Sequence, residues 1–581
     1  MARQLEHFDN LVSLFLTRAG EKGERPFLWA KRDGAWRPTS WTEAARQVAA
    51  LSAALKRIGL ERGDRVALVS ENRPEWLIAD LAIMAAGCVT VPTYTTNTIR
   101  DHAHVLGNSG ARAVIVSNQK LARNLVPAVL TSAECHHIIG IEEIRAGQVP
   151  DWVTIHRWSD LTGGEADVAA LKERASRIQR GDLACIIYTS GTGGAPRGVQ
   201  IHHGSILHNV EGCTDIISTD FGWDDEVFLS FLPASHAYEH TGGQMFPIAL
   251  GAQIYFAESL EKLAANIEEV QPTIMVVVPR LFEMLRARIL KSIEGQGAFA
   301  KYLLYRALKI GGDKYERRVK PWDLPMDGIL SLTLRRKVRG KVGGRQKAWV
   351  SGGAPLNPEV GIFFESLGIT FLQGYGQTEA GPVISCNRPS AGIRLETVGV
   401  PVKNCEVRIA DDGEIMVRGE NVMQGYWRNE EESARVLKDG WLATGDVGHF
   451  DAKGRIVITD RKKDLIVNDK GDNVSPQRIE GMLTLQPEIA QAMIYGDRRP
   501  HLVALLVPDP EIAGRPDTQA RLQKAVDRVN ADLSVIERIR RFILADEAFT
   551  IENEQMTPSM KIRRHVIGQV YGERLDALFK R

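Results

Sequence analysis

The alternation of helical patterns with short β-branched runs constrains the fold of this chain more than any other feature. It predicts a helix near Thr42 to Leu60, a strand at Arg65 to Val69, a helix from Pro74 and a strand near Val114 to Val116. Strands that alternate with helices usually form parallel sheets covered by helices. Further strands are predicted at Cys185 to Tyr188, Ile274 to Val278, Ala348 to Val350 and Thr370 to Leu372. Each of these ends in a Gly-, Pro- or Ser-rich loop, which is where open α/β sheets usually bind ligands.

The length of 581 residues is too great for one core, so several domains are expected. From about Asp411, turn signals at 411–413, 438–440 and 451–454 between short alternating segments predict a small β-rich subdomain. The charged run 460–464 is followed by Ser475 and Pro476, a good N-cap and first-turn pair for a new helix. We therefore predict an α/β fold with a large N-terminal domain of layered α/β subdomains, ending in the β-rich subdomain, at 1–461. A small α+β C-terminal domain follows at 462–581.

Charge and cysteine content exclude several classes of protein. Lys and Arg number 73 and Asp and Glu 72, so the formal charge of +1 predicts no nucleic-acid partner, although a local basic patch could survive the averaging. The six cysteines contain no C-x-x-C pair, which is typical of a reducing, cytoplasmic compartment. The most apolar stretch, Trp76 to Pro92, is interrupted by Asp80 and favours a buried helix over a membrane span. Peripheral contact with a membrane stays open.

A glycine-rich loop directly after a predicted strand, Tyr188 to Gly198, is the sharpest local motif. Its small residues let backbone N–H groups and hydroxyls converge on phosphate oxygens, and Arg197 adds a persistent positive charge. The spacing is not that of a Walker loop or of a dinucleotide fingerprint. The loop is predicted to bind phosphate, and a flexible glycine turn is the alternative. The predicted phosphate ligands are Thr189, Ser190, Gly191, Thr192, Gly193 and Arg197.

Three weaker motifs follow along the chain. The segment Gln373-Gly374-Tyr375-Gly376-Gln377-Thr378-Glu379 offers an aromatic face for a base and a carboxylate for magnesium. Asp446, beside a tight turn, can accept both hydroxyls of a ribose, although an Asx turn explains it equally well. The segment 557–564 is a cationic motif, and a solvated basic strand or tail is its alternative interpretation.

The segment His236-Ala-Tyr-Glu239-His240 fits the H-x-x-E-H pattern of a zinc peptidase family. Zinc would need both histidines one helical turn apart and a remote third ligand. The Pro- and Gly-rich flanks favour a loop or a helix start instead.

The motifs occur together and in order, and the chain then resembles the adenylate-forming superfamily of acyl-CoA synthetases, luciferases and peptide-synthetase adenylation domains. The family's phosphate loop stands here as YTSGTGGAPRG, its Y-G-x-T-E motif as YGQTE and its T-G-D motif as TGD. The hinge segment stands as DRKKDLIVNDKGDNVSPQRIE, and the segments LPASHAYEH, PRLFEML and TPSMKIRR are similar to long-chain fatty acid:CoA ligases. Gly193, Arg197 and Met560 depart from the usual pattern, but charge and backbone donors remain.

The resemblance implies ATP and CoA as co-substrates, Mg²⁺ as the metal, and conversion of a long-chain fatty acid to acyl-AMP and then acyl-CoA. It implies catalytic roles for Lys561, Thr378, Glu379 and His236, with Glu379 and Thr189 as magnesium ligands. It also implies a mobile C-terminal domain that turns at Lys463 and presents Gly471 to CoA. Nucleotide contacts are implied for the phosphate loop and for Gly352, Gly353, Ala354, Gln373 to Gln377, Asp446 and Arg461.

Other interpretations stay open. The acyl group of the adenylate could pass to a carrier protein, the acid could be of another class, or the fold could serve a non-catalytic binding protein. A homodimer and contact with the inner face of the membrane are also left open.

Overall fold

The computed structural model describes residues 3–145, 147, 149–164, 166–189, 195–462, 464–469, 473–557 and 562–580. Its strands are β1 (Pro26–Arg32), β2 (Ala35–Ser40), β3 (Arg65–Val69), β4 (Val89–Pro92), β5 (Ala111–Val116), β6 (His137–Gly140), β7 (Thr154–Arg157), β8 (Leu183–Thr189), β9 (Arg197–His202), β10 (Val227–Ser230), β11 (Gln253–Phe256), β12 (Ile274–Val277), β13 (Ala348–Ser351), β14 (Phe371–Gly376), β15 (Val383–Cys386), β16 (Val400–Pro401), β17 (Glu406–Ile409), β18 (Glu414–Arg418), β19 (Gly425–Tyr426), β20 (Leu437–Lys438), β21 (Trp441–Phe450), β22 (Ile456–Arg461), β23 (Ile466–Val467), β24 (Asn473–Val474), β25 (Ile489–Tyr495), β26 (Leu502–Pro508) and β27 (Ile539–Leu544).

The α-helices are α1 (Leu11–Lys22), α2 (Trp41–Arg57), α3 (Pro74–Ala85), α4 (Ile99–Ser109), α5 (Gln119–Leu130), α6 (Trp158–Thr162), α7 (Val168–Ala175), α8 (His203–Asp220), α9 (Ala237–Glu239), α10 (Phe246–Leu250), α11 (Leu263–Val270), α12 (Pro279–Glu294), α13 (Ala298–Tyr315), α14 (Leu324–Leu332), α15 (Leu334–Lys341), α16 (Pro358–Ser366), α17 (Glu430–Val436), α18 (Pro476–Thr484), α19 (Thr518–Ala531) and α20 (Arg564–Ala577). A π-helical turn (His240–Met245) and three 3₁₀ turns (Pro321–Asp323, Thr378–Ala380, Pro389–Ala391) complete the helical structure of the described residues.

Two large sheets contain strands drawn from residues 26–426. One has the strand order β19-β9-β8-β4-β3-β5-β6-β7 and the other β16-β15-β14-β13-β12-β10-β11-β1-β2. The central strands are parallel, as β3 with β4 and β12 with β13, whereas β8 with β9 and β14 with β15 are antiparallel. The predicted parallel sheets are therefore present, with antiparallel strands towards their edges.

Helix α3 explains how the two sheets are joined. Nearly every one of its residues is buried, including Trp76 and Asp80. It contacts β3 and β4 of one sheet and β1 of the other. A helix that is apolar all round must lie inside a core, and this stretch is the one that the sequence analysis assigned to a buried helix.

The β-rich segment follows as a five-stranded sheet in which β17, β18, β21 and β20 are neighbours and β22 pairs with β21. Its pairs are antiparallel, and β21 and β22 form a hairpin that opposes Asp446 to Arg461. The turn signals that the sequence analysis found after Asp411 thus lie between real strands.

After residue 465, the three-stranded sheet β25-β26-β27 has helices on both faces. On β25, Ala492 and Ile494 point towards α18 and α19, whereas Met493 packs with α20. This period of two gives two hydrophobic cores on the two faces of one sheet. The helix predicted after Ser475 is α18, and the Ser475 side chain accepts a hydrogen bond from the Arg478 N–H.

The α/β fold class is confirmed: a large layered α/β part, a small β-rich part and a small α+β part follow one another along the chain. Among the described residues, no helix is both long and apolar enough to cross a bilayer.

Candidate active site

One cleft of about 2170 Å³ collects the predicted site residues that the structure describes. Those lining it are Thr189, Arg197, His236, Gly352, Gly353, Ala354, Gln373, Gly374, Tyr375, Gly376, Gln377, Thr378, Glu379, Asp446 and Arg461. Residues more than 250 positions apart in the sequence therefore face one space.

Seven predicted site residues lie outside the described residues. They are Ser190, Gly191, Thr192, Gly193, Lys463, Gly471 and Lys561. For Lys561, the described residues on either side, Thr557 and Ile562, both line the cleft. Met556 and Ile562 form an antiparallel bridge across the segment.

Strand ends position the first half of the site. Thr189 is the last residue of β8, Gly352 to Ala354 directly follow β13, and Gly376 ends β14. Gly376 has a steric reason to be glycine, because a Cβ there would lie 1.9 Å from the carbonyl oxygen of Pro382. The loops after strand carboxyl ends thus form one wall of the cleft, as the sequence analysis predicted.

Asp446 sits at the centre of a buried polar group. Its Oδ2 accepts a hydrogen bond of 2.7 Å from the Tyr375 hydroxyl, and its Oδ1 lies 3.2 Å from Nε of Arg461. Burial, together with the negative charge of Asp446, raises the pKa of Tyr375 well above its ordinary value. Tyr375 therefore stays a neutral donor, and the carboxylate is held by two partners in a fixed orientation at the cleft.

Glu379 and Arg197 belong to a second polar group, which includes two residues that the sequence analysis missed. Tyr426 donates its hydroxyl to Oε1 of Glu379 at 2.9 Å, and the Arg197 guanidinium lies over the Tyr426 ring, 5.2 Å from its centroid. Arg197 also forms an ion pair with Glu432. Hydrogen bonds from Arg435 and Arg197 lower the pKa of Glu432 to about 2.

The sequence held little signal for Tyr426 and Glu432, because long-range pairing brings them to the site. Strand β19 pairs with β9, which opposes Tyr426 to Val199, two residues after Arg197. This contact depends on the antiparallel pairing of two strands whose opposed residues, Val199 and Tyr426, are 227 positions apart.

An apolar lobe of the same cleft lies beside Tyr238. The Tyr238 hydroxyl donates to the Val350 carbonyl at 2.8 Å, and a Cβ on Gly352 would meet its ring at 2.9 Å. Apolar side chains line the lobe, among them Ile216, Ile217, Phe246, Val276 and Leu372. The polar region and the apolar lobe therefore meet at the wall that Gly352 forms.

The H-x-x-E-H segment does not form an interior helical turn. His236 caps the three-residue helix α9, and a π-helical turn begins at His240. His240 Nε2 lies 2.8 Å from Oδ2 of Asp80 in the core, and burial raises the pKa of Glu239 to about 8. Oε1 of Glu239 accepts a hydrogen bond of 2.6 Å from the Ser230 hydroxyl, so His240 and Glu239 both have structural partners inside the protein, and only His236 of the three lines the cleft.

The C-terminal basic motif is anchored by Arg564. Its guanidinium pairs with the buried carboxylate of Glu480, which also accepts a 2.7 Å hydrogen bond from the Ile494 N–H. Burial raises the pKa of Glu480 above its ordinary value, although the charge of Arg564 and these hydrogen bonds act in the opposite direction. The chain just after Lys561 is thereby fixed to α18 and β25.

Comparison with known proteins gives the same class as the geometry. Residues 15–427 match the model of the AMP-binding enzyme family, and residues 463–581 match that of the AMP-binding enzyme C-terminal domain. The chain belongs to the AMP-binding enzyme family. It is an adenylate-forming acyl-CoA synthetase, which confirms the resemblance found in the sequence.

Individual relatives cover almost the whole chain. A long-chain-fatty-acid–CoA ligase of Mycobacterium tuberculosis is 32% identical over 99% of this chain and 98% of its own length. A chloroplastic long-chain-fatty-acid–[acyl-carrier-protein] ligase of Arabidopsis thaliana is 28% identical over 93% of this chain and 82% of its own length. The adenylation domain of a carboxylate reductase from Mycobacterium chelonae has the same fold, with a TM-score of 0.75, 23% identity and coverage of 99% and 92%.

Proposed function

We propose that this protein activates a long-chain fatty acid with ATP and transfers the acyl group to CoA, releasing AMP and pyrophosphate. The observation that carries the proposal is the single cleft in which a polar region with Asp446, Glu379 and Arg197 meets an apolar lobe. ATP and the acid's carboxylate belong at the polar end, and the alkyl chain belongs in the lobe. The relatives that are named fatty-acid ligases support this assignment.

The reaction needs activation because a carboxylate has no good leaving group. A carboxylate oxygen attacks the α-phosphorus of ATP, the bond from that phosphorus to the bridging oxygen breaks, and pyrophosphate leaves. The CoA sulfur, having lost its proton, then attacks the acyl carbon, and the bond to the AMP oxygen breaks. Alignment is worth about 7–11 kcal/mol of the barrier in such reactions, and one well-placed donor about 3–4 kcal/mol.

The described residues divide this work. Asp446 accepts the ribose hydroxyls, with its orientation set by Tyr375 and Arg461. Thr378 contacts the α-phosphate, and Tyr375 with Gly352 to Ala354 encloses the base. His236 lies near the reacting carboxylate. Arg197 leaves its ion pair with Glu432 and then binds the β- and γ-phosphates together with the rest of the glycine-rich loop.

Magnesium fits the residues present, because Glu379 offers a carboxylate oriented by Tyr426 and Thr189 a hydroxyl at the end of β8. Bound there, the metal would neutralise phosphate charge.

The domain boundary at 461/462 and the hinge at Lys463 are part of the proposal. Lys462 is fixed to the β-rich sheet, with Nζ 2.6 Å from Asp412 and 3.0 Å from Glu414. Among the described residues, the hydrophobic cores built after residue 465 share no buried member with the two large cores before it, and Leu485 alone of the later residues packs against one of those two. Both observations support a pivot that starts just after Lys462, so that Lys561 approaches the α-phosphate in one orientation and Gly471 approaches CoA in another.

Pyrophosphate release with ATP and Mg²⁺, over acids from short to very long chain and with or without CoA, tests the proposal. Turnover that continues only with CoA and peaks on long chains is expected. Lys561→Ala should abolish adenylate formation while sparing the reaction of supplied acyl-AMP with CoA. Equal loss of both half-reactions would contradict the role of Lys561.

A carrier protein as acceptor is the second candidate, favoured by the similarity to the Arabidopsis ligase. A single burst of pyrophosphate that CoA does not prolong, and that an acyl carrier protein does, would establish it. A cytoplasmic location, a homodimer and contact with the inner face of a membrane also stay predictions.

A further inference from the structure

A cationic helical patch stands out on a chain that is otherwise electrically balanced. We define it as residues 279–345, which contain α12, α13, α14 and α15. It holds 17 Lys and Arg against 6 Asp and Glu, a formal charge of +11, whereas the whole chain carries only +1. Positive charge is therefore concentrated in one ninth of the sequence.

The same patch exposes large apolar side chains. Eight of the 17 exposed large hydrophobic residues among the described residues fall in it. Phe299 is 72% exposed, Trp322 71% and Leu332 75%. Large exposed apolar side chains concentrated in one segment are typical of an interaction surface.

Helical spacing puts the aromatic residues on one face. In α13, Leu304, Ala307 and Ile310 are buried, and Phe299, Tyr302, Tyr305 and Lys309 occupy the outer side at intervals of three and four. A solvent-facing side would normally be polar, so the aromatic row on α13 needs a partner.

In α15 the outer face is cationic. Arg335 and Val338 are buried, whereas Arg336, Lys337, Arg339 and Lys341 are exposed. Among the described residues, these four make no ion pair. Their charge is therefore available to an anionic partner.

Ion pairs hold three of these helices together as a unit. Arg306 of α13 lies 2.6 Å from Asp323, which precedes α14, and Arg335 of α15 lies 2.8 Å from Asp327 of α14. The helices that carry the aromatic row and the cationic face are therefore joined to each other through α14.

We propose that the cationic helical patch docks the protein onto an anionic lipid bilayer. Exposed Lys and Arg are attracted to anionic headgroups, and Trp, Tyr and Phe prefer the boundary between headgroups and acyl chains. A second copy of this chain is a poor occupant, because a two-fold interface would set the exposed cations of one patch against those of another. A nucleic acid would use the charge but not Leu324, Ile329 and Leu332, whose exposed aliphatic side chains suit lipid.

The surface gives the proposed reaction a source of substrate, since long-chain acids partition into bilayers. Its docking does not depend on the ligase activity, and vesicle binding therefore tests it separately.

Co-sedimentation with vesicles tests the charge. The probes are phosphatidylcholine alone and phosphatidylcholine mixed with phosphatidylglycerol, at about 0.1 M and about 1 M salt, where the screening length falls from about 10 Å to about 3 Å. Lys337→Glu with Lys341→Glu should weaken binding to the anionic vesicles about 25-fold or more, since each cation near such a surface is worth about fivefold. Lys120→Glu with Arg123→Glu, on exposed positions of α5, changes the net charge equally and should have little effect.

Fluorescence tests insertion. Brominated lipids in the anionic vesicles should quench Trp322, so the Trp322→Phe variant should lose part of the quenching that the Trp152→Phe control keeps. Binding that both charge variants retain equally, or binding to neutral vesicles with no dependence on salt, would overturn the proposal. So would tight binding to a DNA duplex together with no binding to anionic vesicles.

Discussion

Removal of the Tyr426 hydroxyl tests whether its hydrogen bond holds the Glu379 carboxylate in an orientation that binds magnesium. The Tyr426 hydroxyl donates to Glu379 Oε1 at 2.9 Å, and both residues line the cleft. Burial and the charge of Glu379 raise the pKa of Tyr426 far above its ordinary value, so it stays a donor at any working pH. Tyr426→Phe removes that donor and keeps the ring on which Arg197 lies.

The size of the effect follows from the type of bond. A hydrogen bond to a charged group is worth about 1.5–3 kcal/mol, and about 1.4 kcal/mol corresponds to a factor of ten. If the bond holds Glu379 in its metal-binding orientation, kcat/KM for MgATP should fall about 10- to 100-fold. The magnesium concentration at half-maximal rate should rise with it. KM for the fatty acid should change little, because the apolar lobe is untouched.

Initial rates of pyrophosphate release across a magnesium titration measure both quantities. Tyr315→Phe is the matched control, because the Tyr315 hydroxyl donates to Glu396 at 2.6 Å and belongs to no predicted ligand contact. A Tyr426→Phe enzyme with the wild-type magnesium requirement, or an equal change in Tyr315→Phe, would refute the reasoning. Thermal unfolding of each variant separates a loss of fold from a loss of metal binding.

Three further variants probe other parts of the site. Asp446→Asn should raise KM for ATP about 10-fold or more, because it removes the charged partner of Tyr375 and Arg461. Steady-state kinetics with varied ATP measure it, and an unchanged KM would contradict the ribose contact. Lys463→Pro should leave adenylate formation intact and slow thioester formation, followed in single-turnover assays of each half-reaction; normal overall turnover would exclude the hinge. Glu239→Gln should flatten the dependence of stability on pH. Burial raises the pKa of Glu239 to about 8 from an ordinary 4.5, so between those values the folded protein keeps a proton that the unfolded chain releases, and stability falls as pH rises. Melting temperatures from pH 5 to 8 measure the slope, and identical slopes in both proteins would count against the protonated carboxyl.

Local pattern predicted the strands because their apolar runs are short and end in turn residues. The run Arg65 to Val69 coincides with β3, and the predicted helix at Thr42 to Leu60 differs from α2 by one residue at its start and three at its end. Helix ends fray into turns, so boundaries of this kind are the least predictable part of an element. Three groups of candidate binding residues, which begin at Thr189, Gly352 and Gln373, follow predicted strands, and this is why they line one cleft.

Contacts between distant strands could not be predicted in the same way. The turn at 451–454 was visible in the sequence, but the register that opposes Asp446 to Arg461 depends on how the hairpin closes. The pairing of β19 with β9 had no local signal, and Tyr426 and Glu432 were missed for that reason.

The charges in the cleft are already paired, and this sets a condition on catalysis. Arg197 is bound to Glu432, Arg461 to Asp446, and Glu379 accepts from Tyr426. Under the proposed assignment, a substrate phosphate must therefore compete with an internal carboxylate for Arg197, whereas a ribose hydroxyl can join Asp446 without displacing a partner. Binding of the nucleoside then requires little rearrangement of the site. Binding of phosphate breaks the ion pair between Arg197 and Glu432. The triphosphate of ATP can replace that ion pair, whereas AMP, which lacks the β- and γ-phosphates, cannot. This difference favours release of AMP over retention once the thioester has formed.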